Sequence, residues 1–328
     1  MGDKERDIRW GIVGPGGISD SFANDLKHVP GASLMAVTGR NADKTKAFAD
    51  KHGIPRSYGS AAELAADLDV DIVYIGTIHP AHKQNMLDCI AGGKHVLCEK
   101  PFTMDAEEAR EVAAAAAAKG VFVMEAMWTR FLPPIRKVRQ WLDEGLIGEV
   151  KLLKAEFGFD FGWNPEHRLL KKELGGGTLL DAGIYPVSFA SFVFGEQPTR
   201  IQSVVNIGKT GVDEQFSLLF EYEGGRTASL HGAIQLLMEN EAWIYGTKGK
   251  IRVPGFLWSN RAELHVQGQE PVIVTDEREF HGYVYEAMEC MTAIREGRMI
   301  SDTMPMDETV DIMATLDAIR SQWGLKYE

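Results

Sequence analysis

Ile8 to Ser19 reads IRWGIVGPGGIS. The run IRWGIV is apolar and partly β-branched, which suits a buried strand. It stops at Gly14-Pro15-Gly16-Gly17, and the helix-forming stretch ISDSFANDL follows. Gly14 permits the tight turn, and Gly16 lets a ligand come close to the backbone. The first N–H groups of the helix, those of Gly17 and Ile18, have no intrahelical acceptor and carry the positive end of the helix dipole. Strand, glycine turn and helix N-terminus in this order form an anion cradle. G-x-G at Gly14 and Gly16, with small Ser19 at the third position, has the spacing that holds a dinucleotide pyrophosphate.

Outward from this stretch, strand and helix keep alternating. SLMAVTG from Ser33, VDIVYIGT from Val70, KHVLCEK ending at Lys100 and VFVMEAM from Val121 read as further strands. Asn41 caps a helix that starts at Ala42, with Gly53 past its end, and Ser60 with Glu63 makes a capping box. HKQNMLDCIAGG is a helix with a glycine stop, and Asp105 opens one that ends at Gly120. Such alternation predicts right-handed βαβ units and a doubly wound parallel sheet over residues 1–125. A helix carrying Ile135, Val138, Trp141 and Leu142 bridges to the next part.

From Glu149 the pattern changes. EVKLLKAEFGF, RIQSVVNI, EQFSLLFEYEGG, RTASLHGAIQLL, ENEAWIYGTKGKIRV, AELHVQG and EPVIVTD read as consecutive strands with turn signals between them. One helix interrupts them near Tyr185–Phe194, and two more close the chain near Tyr285–Glu296 and Met306–Trp323. The expected fold class is α/β: the parallel domain, then an α+β domain over 126–328 with a large, mostly antiparallel open sheet. The C-terminal helices are free to pack back on the first domain. IQLLM, Ile234 to Met238, is apolar on both alternations, which suits a strand covered on both faces, by a symmetric dimer or by the domain's own helices.

Length and charge narrow the function. With 328 residues the chain has room for two domains. A net charge of −12 disfavours nucleic acid or an anionic membrane as partner, since both need a basic face. No apolar run approaches the ~18 residues of a membrane span. The N-terminus lacks the apolar core of a signal peptide, and Arg6 stands where an acylation signal starting at Gly2 needs Ser or Thr. Cys89, Cys98 and Cys290 are scattered and read as reduced thiols of a cytoplasmic protein. His79 and His82 are separated by Pro80 and have no third ligand nearby, so no metal site is expected.

The second strand runs out through Thr38, Gly39 and Arg40. An acidic residue there accepts from a ribose 2′-OH and selects NAD. Here a guanidinium stands where a 2′-phosphate would lie, Thr38 offers a hydroxyl donor, Lys44 follows in the next helix, and no carboxylate repels the phosphate. The cofactor expected is NADP, with NAD the lesser choice.

Glu99, Lys100 and Pro101 end the apolar run Val96-Leu97-Cys98. Ligands of a doubly wound sheet sit beyond the carboxyl ends of the strands, so Lys100 is directed at the cleft. A solvated turn is the plainer reading. In the second domain GGGTLLDAGIYPVSF, from Gly175, places Asp181 and Tyr185 four apart behind three glycines. On a continuous helix the two would share a face, but Pro186 suits the first turn of a helix beginning near Tyr185, which leaves Asp181 on the lead-in. Oxidising an alcohol with a nicotinamide also requires a proton to leave the oxygen. A free tyrosine, with pKa ~10, is too weak a base near neutrality, and a nearby ammonium lowers that value. Tyr185 then acts as general acid/base, Lys100 as its electrostatic partner and Asp181 as orienter; the alternative gives the proton transfer to Lys100.

Together these residues resemble the glucose–fructose oxidoreductase / inositol dehydrogenase / MocA family. The resemblance covers the whole chain: the early G-x-G, the E-K-P stop and G-G-G-x-L-x-D-x-G-x-Tyr. Many relatives carry His where this chain has Tyr185. HPAHKQNMLDCIAGGKHVLCEKP, MEAMWTRFLPP and the glycine run look most like the dimeric dihydrodiol dehydrogenases and NADP-dependent D-xylose dehydrogenases. The resemblance implies a Rossmann domain and a hydride transfer to or from a pyranose or trans-dihydrodiol hydroxyl. It implies that Thr77, His79, His82, Glu99, Lys100 and Arg168 lie by the cofactor, that Trp128 and Phe157 line the substrate pocket, and more weakly that Arg130 contributes. It also implies a homodimer or higher homo-oligomer through the C-terminal sheet. A polyol dehydrogenase of inositol type and a catalytically weak cofactor-binding or regulatory protein are the other readings; the second is disfavoured because Lys100, Asp181 and Tyr185 are all present.

Overall fold

A computed structural model describes residues 6–327; the Gly2 position considered above for an acylation signal lies outside them. The chain forms two compact units, one of residues up to Trp128 with Glu279–Val310, the other of Thr129–Arg278 with the residues from Asp311 on.

The first unit is built on a six-stranded sheet. Its strands are β1 (Ile8–Val13), β2 (Ala32–Thr38), β3 (Arg56–Tyr58), β4 (Ile72–Ile75), β5 (His95–Glu99) and β6 (Val123–Ala126). They lie in the order β3-β2-β1-β4-β5-β6, and every pairing is parallel. Helices α1 (Gly17–Leu26), α2 (Ala42–His52), α3 (Ala61–Ala65), α4 (His82–Ala91) and α5 (Ala106–Lys119) join them. Strands β4 and β6 are buried at every residue, as a sheet covered on both faces requires. Phe22 of α1 stacks on Tyr74 of β4 at 3.9 Å and tilts against Trp10 of β1 at 5.4 Å, fixing the first helix over the sheet. Strand β3 escapes a reading by pattern because Arg-Ser-Tyr has no apolar alternation; pairing with Ala36–Thr38 alone makes it a strand.

The expected cap at Asn41 forms, accepting from the Lys44 amide at 2.9 Å, and Asp105, read as the first residue of its helix, instead caps it by accepting from the Glu108 amide at 2.8 Å. Ser60 accepts from the Glu63 amide at 3.2 Å, but the Glu63 carboxylate returns to the Gly59 amide, one residue short of a full capping box.

The second unit opens with α6 (Pro133–Asp143). Its sheet holds β7 (Val150–Gly158), β8 (Arg200–Ile207), β9 (Asp213–Tyr222), β10 (Arg226–Ala233), β11 (Ala242–Gly246), β12 (Gly249–Val253), β13 (Arg261–Val266) and β14 (Val272–Thr275). The order is β14-β13-β12-β11-β7-β10-β9-β8, with β7 and β10 parallel and the other neighbours antiparallel. A single buried helix, α7 (Ile184–Phe194), packs on β7 and β10. Phe216, Leu218, Phe220 and Tyr222 of β9 alternate inward, and the Phe216 ring fills the slot left by Gly183 and Gly232, where a Cβ would stand 2.6 and 2.5 Å away.

Two expectations change here. IQLLM is not a strand: the ladder stops at Ala233, and Leu237 is 83% exposed because the chain turns away after one isolated bridge at Gln235. The stretch Lys172–Phe194 is long and apolar enough for a membrane span, contrary to the reading of the runs, yet 94% of its apolar 18-residue window is packed inside the protein, as suits a core helix.

The chain ends in α8 (Tyr283–Glu296) and α9 (Met306–Trp323). Helix α8 lies in the first unit against α1. Buried Asp25 of α1 accepts from the Gly282 and Tyr283 amides, each at 2.9 Å, and so caps it.

Candidate active site

The glycine loop follows β1 at the point where the strand order reverses. Gly14 takes φ +95°, and a Cβ there would meet Thr77 Cγ2 at 2.8 Å, so only glycine lets the loops after β1 and β4 close on each other. Buried Ser19 donates to the Gly14 carbonyl at 2.6 Å, which explains a small hydroxyl residue at the third position. Gly16 and Gly17 differ: a Cβ on Gly16 would meet only Gly76 O at 3.9 Å, and one on Gly17 nothing within 4 Å. No side chain caps α1 at Gly16. Open space over bare N–H groups fits a pyrophosphate. The one acid of that first turn, Asp20, is drawn aside by Lys51 at 2.5 Å and His52 at 2.8 Å; the Lys51 bond leads in holding its carboxyl below the usual range.

At the end of β2, Arg40 is exposed beyond Gly39, whose missing side chain makes room for the Pro15 ring. Thr38 does not offer the hydroxyl proton expected of it. It is buried and donates to the Tyr58 carbonyl at 2.9 Å, fastening β2 to the β3 edge. A carboxylate is also closer than the sequence reading allowed, because Asp43 stands in the first turn of α2 beside Lys44.

The loops after β4 and β5 carry the next group. His82, placed by the resemblance beside the cofactor, is instead fully buried. Its Nδ1 lies 2.9 Å from the Pro101 carbonyl and its Nε2 3.2 Å from that of Thr77, so it ties the two loops together, and burial favours its neutral ring. His79 is buried beside it, ring to ring at 5.8 Å. Thr77 is half-buried and accepts from Asn85 at 3.3 Å. Glu99 also turns inward: Tyr74 donates to one carboxylate oxygen at 2.6 Å and the Lys100 amide to the other at 3.3 Å, so its first task is to shape the strand end. The Lys100–Pro101 bond is cis, and Lys100 is half-buried. Trp128 is 7% exposed and leans on Tyr283 at 4.9 Å. All three cysteines are buried, and burial pushes the Cys89 thiol up to about 12, away from any nucleophilic role.

In the second unit Asp181 sits on a π turn, Leu179–Gly183, that runs directly into α7 with Tyr185 in its first turn. Arg168, expected at the cofactor, donates from Nη1 to Asp181 Oδ1 at 2.9 Å. Phe157 meets Tyr185 edge-on at 5.6 Å and Trp258 edge-on at 5.8 Å. Trp258 is 48% exposed and was not singled out in the sequence, where FLWSN carries only turn signals. Arg130 is spent inside the unit, bonding Ser188 Oγ and its carbonyl. The three glycines have an internal reason as well: a Cβ on Gly176 would stand 2.6–2.7 Å from the carbonyls of Arg168, Leu169 and Lys171. They let the chain fold onto itself, where the sequence had suggested a ligand.

Comparison with known proteins agrees with this layout. An oxidoreductase family with an NAD-binding Rossmann fold matches residues 8–127, and the GFO/IDH/MocA C-terminal domain matches residues 135–252. The chain belongs to the GFO/IDH/MocA oxidoreductase family. Among relatives of this GFO/IDH/MocA protein, the trans-1,2-dihydrobenzene-1,2-diol dehydrogenase of Xenopus laevis is 40% identical over 97% of this chain and 99% of its own. That of Homo sapiens is 38% identical over 98% of each. Two solved structures share the GFO/IDH/MocA fold. Aldose-aldose oxidoreductase from Caulobacter crescentus, complexed with glycerol, has TM-score 0.89 at 22% identity over 97% of this chain and 98% of that one. KijD10, a 3-ketoreductase from Actinomadura kijaniata in complex with NADP and TDP-benzene, has TM-score 0.85 at 24% identity over 96% and 98%. Like its relatives, this GFO/IDH/MocA chain is an oxidoreductase, a dehydrogenase acting on CH–OH groups.

Proposed function

We propose that the protein is an NADP-dependent dehydrogenase of a pyranose sugar or a trans-dihydrodiol. In this reading Tyr185 is the general acid/base, Asp181 the orienter and Lys100 the electrostatic partner. The observation that carries the reading is the Arg168–Asp181 pair held on a π turn one helical turn ahead of Tyr185. The relatives named as dihydrodiol dehydrogenases support the substrate class.

A bound nicotinamide would supply the acceptor for the hydride of the carbinol C–H bond. Tyr185 Oη takes the hydroxyl proton in oxidation and returns it in reduction. Asp181, aimed by Arg168, accepts a hydrogen bond from the substrate hydroxyl and fixes which C–H bond is broken. Phe157 and Trp258 offer ring edges and faces to the apolar side of a sugar or an arene diol. For the cofactor, the Gly16–Gly17 space over the start of α1 would hold the pyrophosphate and Arg40 would take the 2′-phosphate.

We also infer a homodimer through the outer face of the large sheet. That face carries the stacked Trp243–Tyr245 pair with Lys250 and Arg252 over Trp243, and Val204 is 73% exposed on the edge strand β8.

The decisive experiment is NADPH formation over D-xylose, D-glucose, myo-inositol and a trans-dihydrodiol, each with NADP and with NAD. Turnover of a pyranose or the diol with NADP supports the reading. Turnover of myo-inositol alone points to a polyol dehydrogenase, and nucleotide binding without turnover on any of them to a regulatory protein.

A further inference from the structure

The turn that carries Asp181 is held from behind by two side chains distant in sequence. The Leu179 amide, at the start of the π turn, donates to Asp213 Oδ2 at 2.6 Å. The Tyr327 hydroxyl donates to the Gly176 carbonyl at 2.6 Å. A Cβ on Gly177, where φ is +121°, would stand 2.2 Å from Asp213 Oδ1 and 2.9 Å from Tyr327 Oη, so both groups press against that residue. Asp213 and Leu179 are fully buried, and Asp213 Oδ1 has no hydrogen-bond partner.

A π turn is a rare geometry, and its first amides, like those at any helix start, need acceptors. Without a carboxylate at 213, the Leu179 N–H would be a buried donor with nothing to accept it. We propose that Asp213, with the Tyr327 hydroxyl, is a positioning residue that sets the π turn and thereby the placing of Asp181 and Tyr185. The proposal rests on the proton-transfer roles assigned above to those two residues. Burial raises the Asp213 carboxyl to about 7, against the Leu179 and Thr178 amides and Arg320 of α9. Arg320 is itself paired with Asp317 and lies over the Tyr327 ring at 5.3 Å. The site therefore holds a neutral or an ionised carboxyl close to physiological pH, and both forms keep an oxygen for Leu179.

The test measures Asp213→Ala, Asp213→Asn and Tyr327→Phe by amide exchange of the peptide 176–184 and by steady-state kinetics. Asp213→Ala is expected to speed exchange in that peptide selectively and to lower kcat about tenfold or more, with nucleotide affinity within about twofold. Asp213→Asn keeps an acceptor oxygen and is expected to restore both. Unchanged exchange in Asp213→Ala, unchanged kcat beside faster exchange, or no rescue by Asn overturns the proposal. If Asp213→Ala does not fold, Tyr327→Phe carries the same comparison: faster exchange with lower kcat supports the proposal, and wild-type values overturn it. If the wild-type protein oxidises none of the panel substrates, the proposed function fails, while exchange still decides whether Asp213 holds the turn.

Discussion

Arg168 Nη1 lies 2.9 Å from Asp181 Oδ1, joining a guanidinium 44% exposed to a carboxylate 9% exposed. The pair spans thirteen residues and closes the loop that precedes the π turn. Arg168→Ala is expected to lower kcat by about tenfold, the effect of one lost charge-assisted bond on an orienting group. Nucleotide KM should hardly move. A raised KM with normal kcat would return Arg168 to the cofactor contact first expected of it.

Tyr185→Phe keeps the ring that Phe157 packs against and removes only the acid/base oxygen. It should cut kcat by ~10² or more and leave nucleotide binding intact. Near-normal turnover in this variant would move the proton transfer to Lys100.

Arg40→Asp places a carboxylate at the exposed end of β2. With Asp43 already in the next turn, the KM for NADP should rise by roughly 10–100-fold while NAD is spared. The ratio of kcat/KM for the two cofactors is the measurement, and an unchanged ratio sinks the assignment.

Asp213 gives the fold a pH dependence whose sign follows from burial. Its carboxyl is raised from 3.8 to about 7, so the folded state holds a proton that the unfolded chain releases. Stability is fully present below the ordinary carboxylate range and is lost as pH rises towards 7, by up to on the order of 4 kcal/mol. Asp213→Asn should therefore melt above wild type at pH ~8 and close to it at pH ~4. Parallel melting curves at both pH values would show that the group does not titrate in this window.

Gly177→Ala combines a strained backbone with a Cβ driven to 2.2 Å from Asp213 Oδ1. A loss of about 2 kcal/mol or more is expected in urea unfolding, with the m-value unchanged. A neutral result would mean that the turn has room to shift.

Much of the first unit was legible because its signals are local. Ile8–Val13, the glycine loop, and the caps at Asn41 and Asp105 specify themselves within a few residues. The E-K-P and D-x-G-I-Y spacings marked Lys100, Asp181 and Tyr185 for the same reason. The large sheet was legible as strands but not in its order, since the parallel pairing of β7 with β10 joins residues over seventy positions apart. IQLLM failed because an apolar run says nothing about where a ladder ends.

The amino-acid sequence by itself determined the doubly wound start, the cofactor cradle and the residue types available for proton transfer, because each depends on neighbours along the chain. Only the tertiary structure decided what those residues touch. It turned Glu99 to Tyr74, His82 to two backbone carbonyls, Thr38 to Tyr58 and Arg168 to Asp181. It also brought Asp213 and Tyr327 under the glycine turn. Hydrogen-bond partners are settled by which buried donors and acceptors the fold brings within ~3 Å, and that proximity has no counterpart in linear order.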